Sequence, residues 1–428
     1  MTQASVPRTS GEEGVMEWIA CVGIDWGDRE HAYVVQTRGG ERQKGKVGSA
    51  PEELHGWVRS LREQLPEGNI VVAVEQGRGG LIDALLEHDF ITLVPINPRA
   101  SKAYRDSRRL SGASTDPADA ELICEFALKH LDELRVWRAD DAITRKLRTL
   151  TETRRQLVDQ RTALAQQLTA VLKGYFPQAL QWFSNVSARV LWSVLHLWPT
   201  LSDLQQAEPE QLTGIMKAHR LRRVPGRVEQ LTAKLREAVS LTTDSAIIEP
   251  ASMHAQALAK MLEVLDEQID RYERAIEQAW AAHPDRHIFD SLPGAGPALA
   301  PRLAVAFGSD RSRYQSAFEL QCYSGIAPVT EQSGQSKRIH ARWQYPKFLH
   351  QSFHEFAASS LPHCEWANAS YRLQRKRGAS HHTAIRTVAF QWIRIIFRLW
   401  KDECPYDDAV YLQALRSKNS PLCSGLAA

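Results

Sequence analysis

The chain of 428 residues contains no apolar run approaching the ~20 residues a membrane helix needs, so it is not expected to span a bilayer. Residues 1–14 are polar and acidic and lack the apolar stretch of a secretion signal. They read as a disordered tail. Cysteine is sparse and scattered: Cys21, Cys124, Cys322, Cys364, Cys404 and Cys423 form no CxxC pair. That argues against a zinc site or a disulfide framework and predicts reduced, mostly buried thiols in a soluble, cytoplasmic protein. Acidic residues nearly vanish from one stretch. Residues 333–401 hold 12 Lys and Arg against two acids, Glu355 and Glu365, whereas residues 1–138 hold 17 Lys and Arg against 22 Asp and Glu. An acidic head and a basic tail point to a polyanionic partner held mainly by the tail. A solvated helical surface would carry the same charges.

What is present sorts into regions. Glu17–Asp25 (EWIACVGID), His31–Thr37 and Glu41–Val47 read as a strand meander, Pro51–Leu65 as a helix, and Ile70–Glu75 (IVVAVE) as a strong strand. A helix at Leu81–His88, a strand at Ile91–Ile96 and a helix at Pro117–His130 complete residues 15–139. This order predicts an α/β sheet with antiparallel and parallel parts. From Asp140 almost no Gly or Pro appears until Gly174, and Leu147, Leu150, Leu157, Leu164, Leu168 and Val171 recur at helical spacing. A second amphipathic helix covers about 252–282. The two predict an antiparallel coiled-coil arm over 140–285, with 177–250 as a helical insertion at its tip. A plain helical linker domain fits the same pattern. Residues 286–407 read as a basic, all-α domain and 408–428 as a mixed tail.

Four carboxylates carry chemistry. Asp25 and Glu75 each end a buried strand, where a charge is costly unless paired or metal-bound. Neighbouring parallel strands would bring them to one rim of the sheet, the usual place for sites in such folds. Asp116 and Asp119 open a helix in the string TDPADA, with Pro117 read as its first residue and Asp116 as its N-cap. Capping alone would explain either aspartate. Four carboxylates together suit Mg²⁺, with Mn²⁺ as a substitute, acting on a phosphodiester. The basic segment Arg99, Lys102, Arg105, Arg108 and Arg109 just before them could lead phosphates in, or form a solvated loop.

The segments GIDWGDREH, VVAVEQ, INP and STDPADA, in that order, resemble the ribonuclease H-like (RuvC-like) domain of DEDD-type insertion-sequence transposases. The resemblance assigns the four metal-binding carboxylates to Asp25, Glu75, Asp116 and Asp119. The C-terminal stretch from Ser291 to Gly334 resembles the same family's second domain, in the IS110 group. It holds a PGAG turn (Gly294 and Gly296) that is helix-hairpin-helix-like, a Gly325-to-Pro328 step, and Ser333-Gly334 followed by Lys337 and Arg338. The resemblance implies a prokaryotic, nucleoid-associated recombinase in which Ser333 attacks DNA and forms a phosphoserine link. It also implies a noncoding guide RNA and assembly as a dimer or tetramer, with the serine able to come from another protomer. Ser324 and Ser336 are rivals for the nucleophile on sequence alone. Lys337 or Arg338 could stabilise charge. Where the family often has a glycine- and basic-rich stretch after the serine, this chain has Trp343-Gln344-Tyr345-Pro346. The cluster Arg372, Arg375, Lys376 and Arg377 reads as a phosphate contact, while Arg386, Arg394 and Arg398 fit phosphate contact or half-buried packing equally. Two rivals stay open: a RuvC-like nuclease or junction resolvase using water, and a non-catalytic nucleic-acid-binding regulator.

Overall fold

The computed structural model describes residues 18–75, 79–108, 115–183, 185–334 and 336–417. The stretch read as a disordered tail lies outside them, as do Arg109 and Cys423. The chain divides into two units after Ala139.

The N-terminal unit opens with β1 (Trp18–Asp25), β2 (Glu30–Thr37) and β3 (Arg42–Gly48), an antiparallel meander. Helix α1 (Pro51–Gln64) begins on a proline, whose fixed φ suits a first turn, and buries Leu54, Trp57, Val58 and Leu61. It returns the chain so that β4 (Asn69–Val74) lies parallel to β1. Helix α2 (Gly80–Leu85) then leads to β5 (Ile91–Pro95), parallel to β4. The sheet order is β3-β2-β1-β4-β5, mixed as the element order predicts. Side chains alternate along β1. Ala20, Val22 and Ile24 join the core beneath α1 and α2, while Cys21 lies on the opposite face. That face is covered by α4 (Asp116–Lys129), which follows α3 (Pro98–Arg108). The segment holding Arg99 to Arg108, read from sequence as a basic connector, is therefore helical. Asn97 starts it: its side chain accepts from the Arg99 amide at 2.9 Å and its carbonyl from Ser101 at 3.0 Å.

In the C-terminal unit, α5 (Ala142–Tyr175) is followed by five shorter helices: α6 (Gln178–Trp182), α7 (Arg189–Leu197), α8 (Leu201–Gln205), α9 (Pro209–Ala218) and α10 (Val224–Glu237). They share an apolar core with parts of α5 and of α11 (Ser245–Ala281). Helices α5 and α11 run antiparallel: Thr144 meets His283, Arg154 meets Glu273 and Arg161 meets Asp266. A second core gathers around α12 (Arg286–Asp290), α13 (Gly296–Phe307) and α14 (Ala317–Tyr323). After a hairpin, β6 (Val329–Ser333) and β7 (Ser336–His340), it takes in α15 (Lys347–Ser360), α16 (Glu365–Lys376) and α17 (His381–Asp402). Trp366, Trp392 and Trp400 are fully buried there. The region is not all-α, because the hairpin interrupts it. Residues 408–417 of the presumed tail form α18 (Asp408–Ser417), whose Tyr411 ring packs against Trp366 at 4.9 Å.

Asp140 pins this unit. Its carboxylate is fully buried and meets Arg148 at 2.6 Å and Arg313 at 2.7 Å, and it accepts from the Ser309 amide at 2.8 Å. Burial alone would raise its pKa, but the two guanidiniums outweigh burial and hold it below the ordinary carboxyl range. The folded pKa is depressed, so this contribution to stability is present above the ordinary carboxyl pKa and is lost as pH falls through the lower folded value. Asp140→Ala strands two partly buried arginines and is expected to cost about 3–5 kcal/mol. Urea melts at pH 7 check this; a variant melting like the wild type would remove Asp140 from that role.

Candidate active site

Asp25 and Glu75 lie at the same rim of the sheet. The last β1–β4 pair is Ile24 with Val74, so the next residue of each strand, Asp25 and Glu75, stands beside the other. Alternation turns both toward the α4 face. Gly23 fixes how close α4 comes: a Cβ there would overlap the Ala120 carbonyl and the Cys124 amide. This close approach brings the first turn of α4 to the end of β1. Thr115, not Asp116, is the N-cap; its carbonyl accepts from Ala118 and Asp119, both at 2.9 Å. Asp116 is thus the first helical residue, exposed, while Asp119 is 6% exposed and directed inward.

Asp25 feels the other three carboxylates. Desolvation first, then Asp119, Asp116 and Glu75 in that order, push the Asp25 carboxyl up to about 6. Arg105 of α3 opposes them. Its guanidinium stands 3.1 Å from Asp119 and 3.8 Å from Glu75. The residue that sequence reading grouped with a run of phosphate-guiding cations is the internal counter-ion of the acidic rim. Arg108 is also occupied, by Glu125 at 3.2 Å, whereas Arg99 and Lys102 are exposed.

Among the described residues, no three of His, Cys, Asp and Glu stand close enough to hold one metal ion as they lie. The donor set nevertheless fits one chemically. Four hard carboxylates share a rim, Arg105 partly compensates them, and Asp25 still resists ionisation. Arg105→Gln is therefore expected to lower the melting temperature of EDTA-treated protein by an amount equivalent to about 2 kcal/mol, and to enlarge the rise that Mg²⁺ produces. An unchanged melt in EDTA would remove Arg105 from this role.

Ser333 ends β6 and pairs with Ser336 across a tight turn, with Gly334 at φ +56°. That conformation suits glycine. Ser333 is exposed. Alternation places Arg338 on its face of the hairpin and Lys337 on the other, which separates two cations that the sequence left equivalent. Ser324 is fully buried and donates to the Gln321 carbonyl at 3.3 Å, so it is inaccessible to DNA. In the PGAG turn, Gly294 (φ +81°) packs on α15, where the Ser359 hydroxyl donates to its carbonyl at 2.7 Å. Gly296 faces open space at the start of α13. Arg372, Arg375, Lys376 and Arg377 are all exposed around the C-terminal end of α16, and Arg375 donates to the Ala379 carbonyl at 2.8 Å. Of the later arginines, Arg398 is ion-paired with Asp402.

Comparison with known proteins agrees with both halves. Residues 22–177, containing all four carboxylates, match the model of DEDD transposases of the IS110 type. Residues 286–372, containing Ser333, match the model of the transposase IS116/IS110/IS902 family. A candidate mini-circle transposase for IS117 from Streptomyces coelicolor is 28% identical over 379 residues, covering 85% of this chain and 89% of the relative. The 44.8 kDa protein of insertion element IS116 from Streptomyces clavuligerus is 26% identical, covering 89% and 94%. The 42 kDa protein of IS900 from Mycobacterium paratuberculosis is 24% identical, covering 90% and 97%. With both domain models in order and near full-length relatives, the chain belongs to the IS110 family of transposases, enzymes that act on DNA.

Proposed function

We propose that this transposase cleaves and rejoins the DNA of a mobile element through a phosphoserine intermediate, with Ser333 as nucleophile and Asp25, Glu75, Asp116 and Asp119 as the holders of Mg²⁺. One observation carries the reading: the charges of three carboxylates from two other segments, the end of β4 and the first turn of α4, all bear on Asp25 at one rim. The sheet order, with an antiparallel meander leading into parallel β4 and β5, is that expected of a ribonuclease H-like domain. Bound Mg²⁺ supplies Lewis-acid charge neutralisation at a phosphodiester.

The chain's own groups do the rest. Ser333 Oγ forms the new P–O bond, and the displaced deoxyribose oxygen leaves with a proton. The reverse step joins a strand, so the phosphodiester bond energy is conserved. Arg338, on the same hairpin face, offsets charge that develops on the phosphoryl oxygens. The exposed cations of α3 and α16 suit a polyanion, either DNA or a noncoding guide RNA. The test is incubation of the full chain with DNA carrying the element ends. A denaturant-resistant protein–DNA adduct that needs Mg²⁺ and maps to Ser333 is the expected result. Cleavage without an adduct would replace this reading with the water-using nuclease.

A further inference from the structure

The two legs of the serine hairpin meet in a knot of aromatic rings. Gly325, before β6, is pressed against the Tyr345 ring, which follows β7. Tyr345 stacks on His350 of α15 at 4.3 Å and 25°. His350 in turn donates from Nδ1 to the Ser324 carbonyl at 3.2 Å. The ring series continues through His354, 6.2 Å from His350, to His382 of α17, 5.4 Å further on. These rings line a cavity of about 420 Å³ together with Arg342 and Arg386. That volume is within the ~300–1,000 Å³ range of small-ligand sites.

The charges in this cavity are unbalanced. Among the described residues, Arg386 bonds only the Thr383 hydroxyl, at 3.4 Å. The Arg342 Nε is buried and has no hydrogen-bond partner among the described residues, a costly state that calls for an acceptor. The carboxylate in the wall, Glu355, is already committed to Arg155 and Arg302. Burial holds His350 and His354 below the ordinary histidine range. Near neutral pH the fixed charge is therefore that of the two guanidiniums, and those two rings serve as a stacking surface. Trp343, 85% exposed beside Arg342, offers a further ring.

We infer that this cavity at the root of the hairpin binds a phosphodiester of single-stranded nucleic acid, with Arg342 and Arg386 on the phosphate and a base against the ring series. Guanidinium forks match phosphate oxygens, and stacked rings accept any base. Five residues of β7, about 17 Å of extended chain, separate this root from the turn that carries Ser333. The site would thus hold a strand some way from the position of attack. The inference draws on the DNA-acting reading only for the kind of polymer, and it needs neither the serine step nor the metal.

The test measures binding of labelled ten-nucleotide single-stranded DNA and RNA to the full chain in EDTA, where cleavage chemistry is silent. The Arg342→Gln/Arg386→Gln double variant is expected to bind at least tenfold more weakly. Its salt-dependence slope should fall by about 0.7, the value for one phosphate no longer neutralised on a single strand. As a second readout, the ring resonances of His350, His354 and His382 in the wild-type chain should shift on adding a dinucleotide, which covers the case of a variant that folds poorly. Binding of either polymer supports the site, and the tighter arm names its source. Unchanged affinity and slope in a folded variant, or histidine resonances that do not move, would overturn it. Because Ser333 and the four carboxylates are untouched, failure here leaves the catalytic reading standing, and failure of that reading leaves this one.

Discussion

Replacing Ser333 with alanine is expected to abolish the covalent protein–DNA adduct and to reduce recombination about 10⁴-fold or more, with the fold intact. Removing a nucleophile takes away the step itself rather than part of its stabilisation. The structural cost is small because Ser333 is exposed and, among the described residues, its hydroxyl has no hydrogen-bond partner. Exposed substitutions of this kind stay within about 0.5 kcal/mol. Loss of activity with an unchanged melt would therefore report chemistry. Ser336 is the internal control, being paired directly with Ser333 in the hairpin and also exposed. Ser336→Ala should keep the adduct. If Ser333→Ala cleaves DNA like the wild type, the nucleophile is water and the enzyme is a metal nuclease. If Ser336→Ala loses the adduct while Ser333→Ala keeps it, the two serines exchange roles.

The hairpin that presents Ser333 shows where sequence reading stops. Strands β1 and β4 are legible because their apolar residues are continuous and buried on both faces. In β6 and β7 nearly every residue is exposed, so no alternation of polar and apolar residues marks them. The pairing rests on a glycine turn, backbone bonds and one cross-strand side-chain contact, Glu331 with His340 at 3.0 Å. Helix α3 escaped notice for a similar reason, since Ser101 is its one buried residue. Helix α18 buries none and reads as tail. The cations divide only once the fold is known. Arg105 looks like its neighbours in sequence, yet it turns into the acidic rim. Arg398 pairs with an acid one turn away, while Arg386, similar in spacing, lines the cavity at the hairpin root. The carboxylates were easier to find. Two end strong strands and two open a helix, and each position has a sequence signature. Their nearness to one another depends on Gly23, where the missing Cβ lets α4 sit on the sheet.

That nearness makes Asp25 the most informative carboxylate to change. Asp25→Asn should reduce Mg²⁺-dependent strand cleavage about a thousandfold, of the order seen when one pre-organised stabilising group is lost. The same change should make the metal-free protein more stable. Burial and three carboxylates push the Asp25 carboxyl up to about 6 from an ordinary 3.8. The folded state therefore takes up this proton more readily than the unfolded chain. The associated stability is fully present below about 3.8 and is lost as pH rises through about 6. At pH 7 the ionised side chain is a liability, and asparagine, similar in shape and uncharged, removes it. Because the side chain is only partly buried, solvent screening reduces the gain to about 1 kcal/mol. In EDTA, then, Asp25→Asn should melt higher than the wild type at pH 7, and the difference should close toward pH 4. Adding Mg²⁺ should reverse the order, because a cation that binds only the folded state favours the chain with all four carboxylates. A residue that merely filled space would affect stability in the same direction with and without metal. A capping or turn residue would lower it in both. Wild-type cleavage by Asp25→Asn, or a lower melting temperature in EDTA at pH 7, would show that the acidic rim is not a metal site held under charge strain.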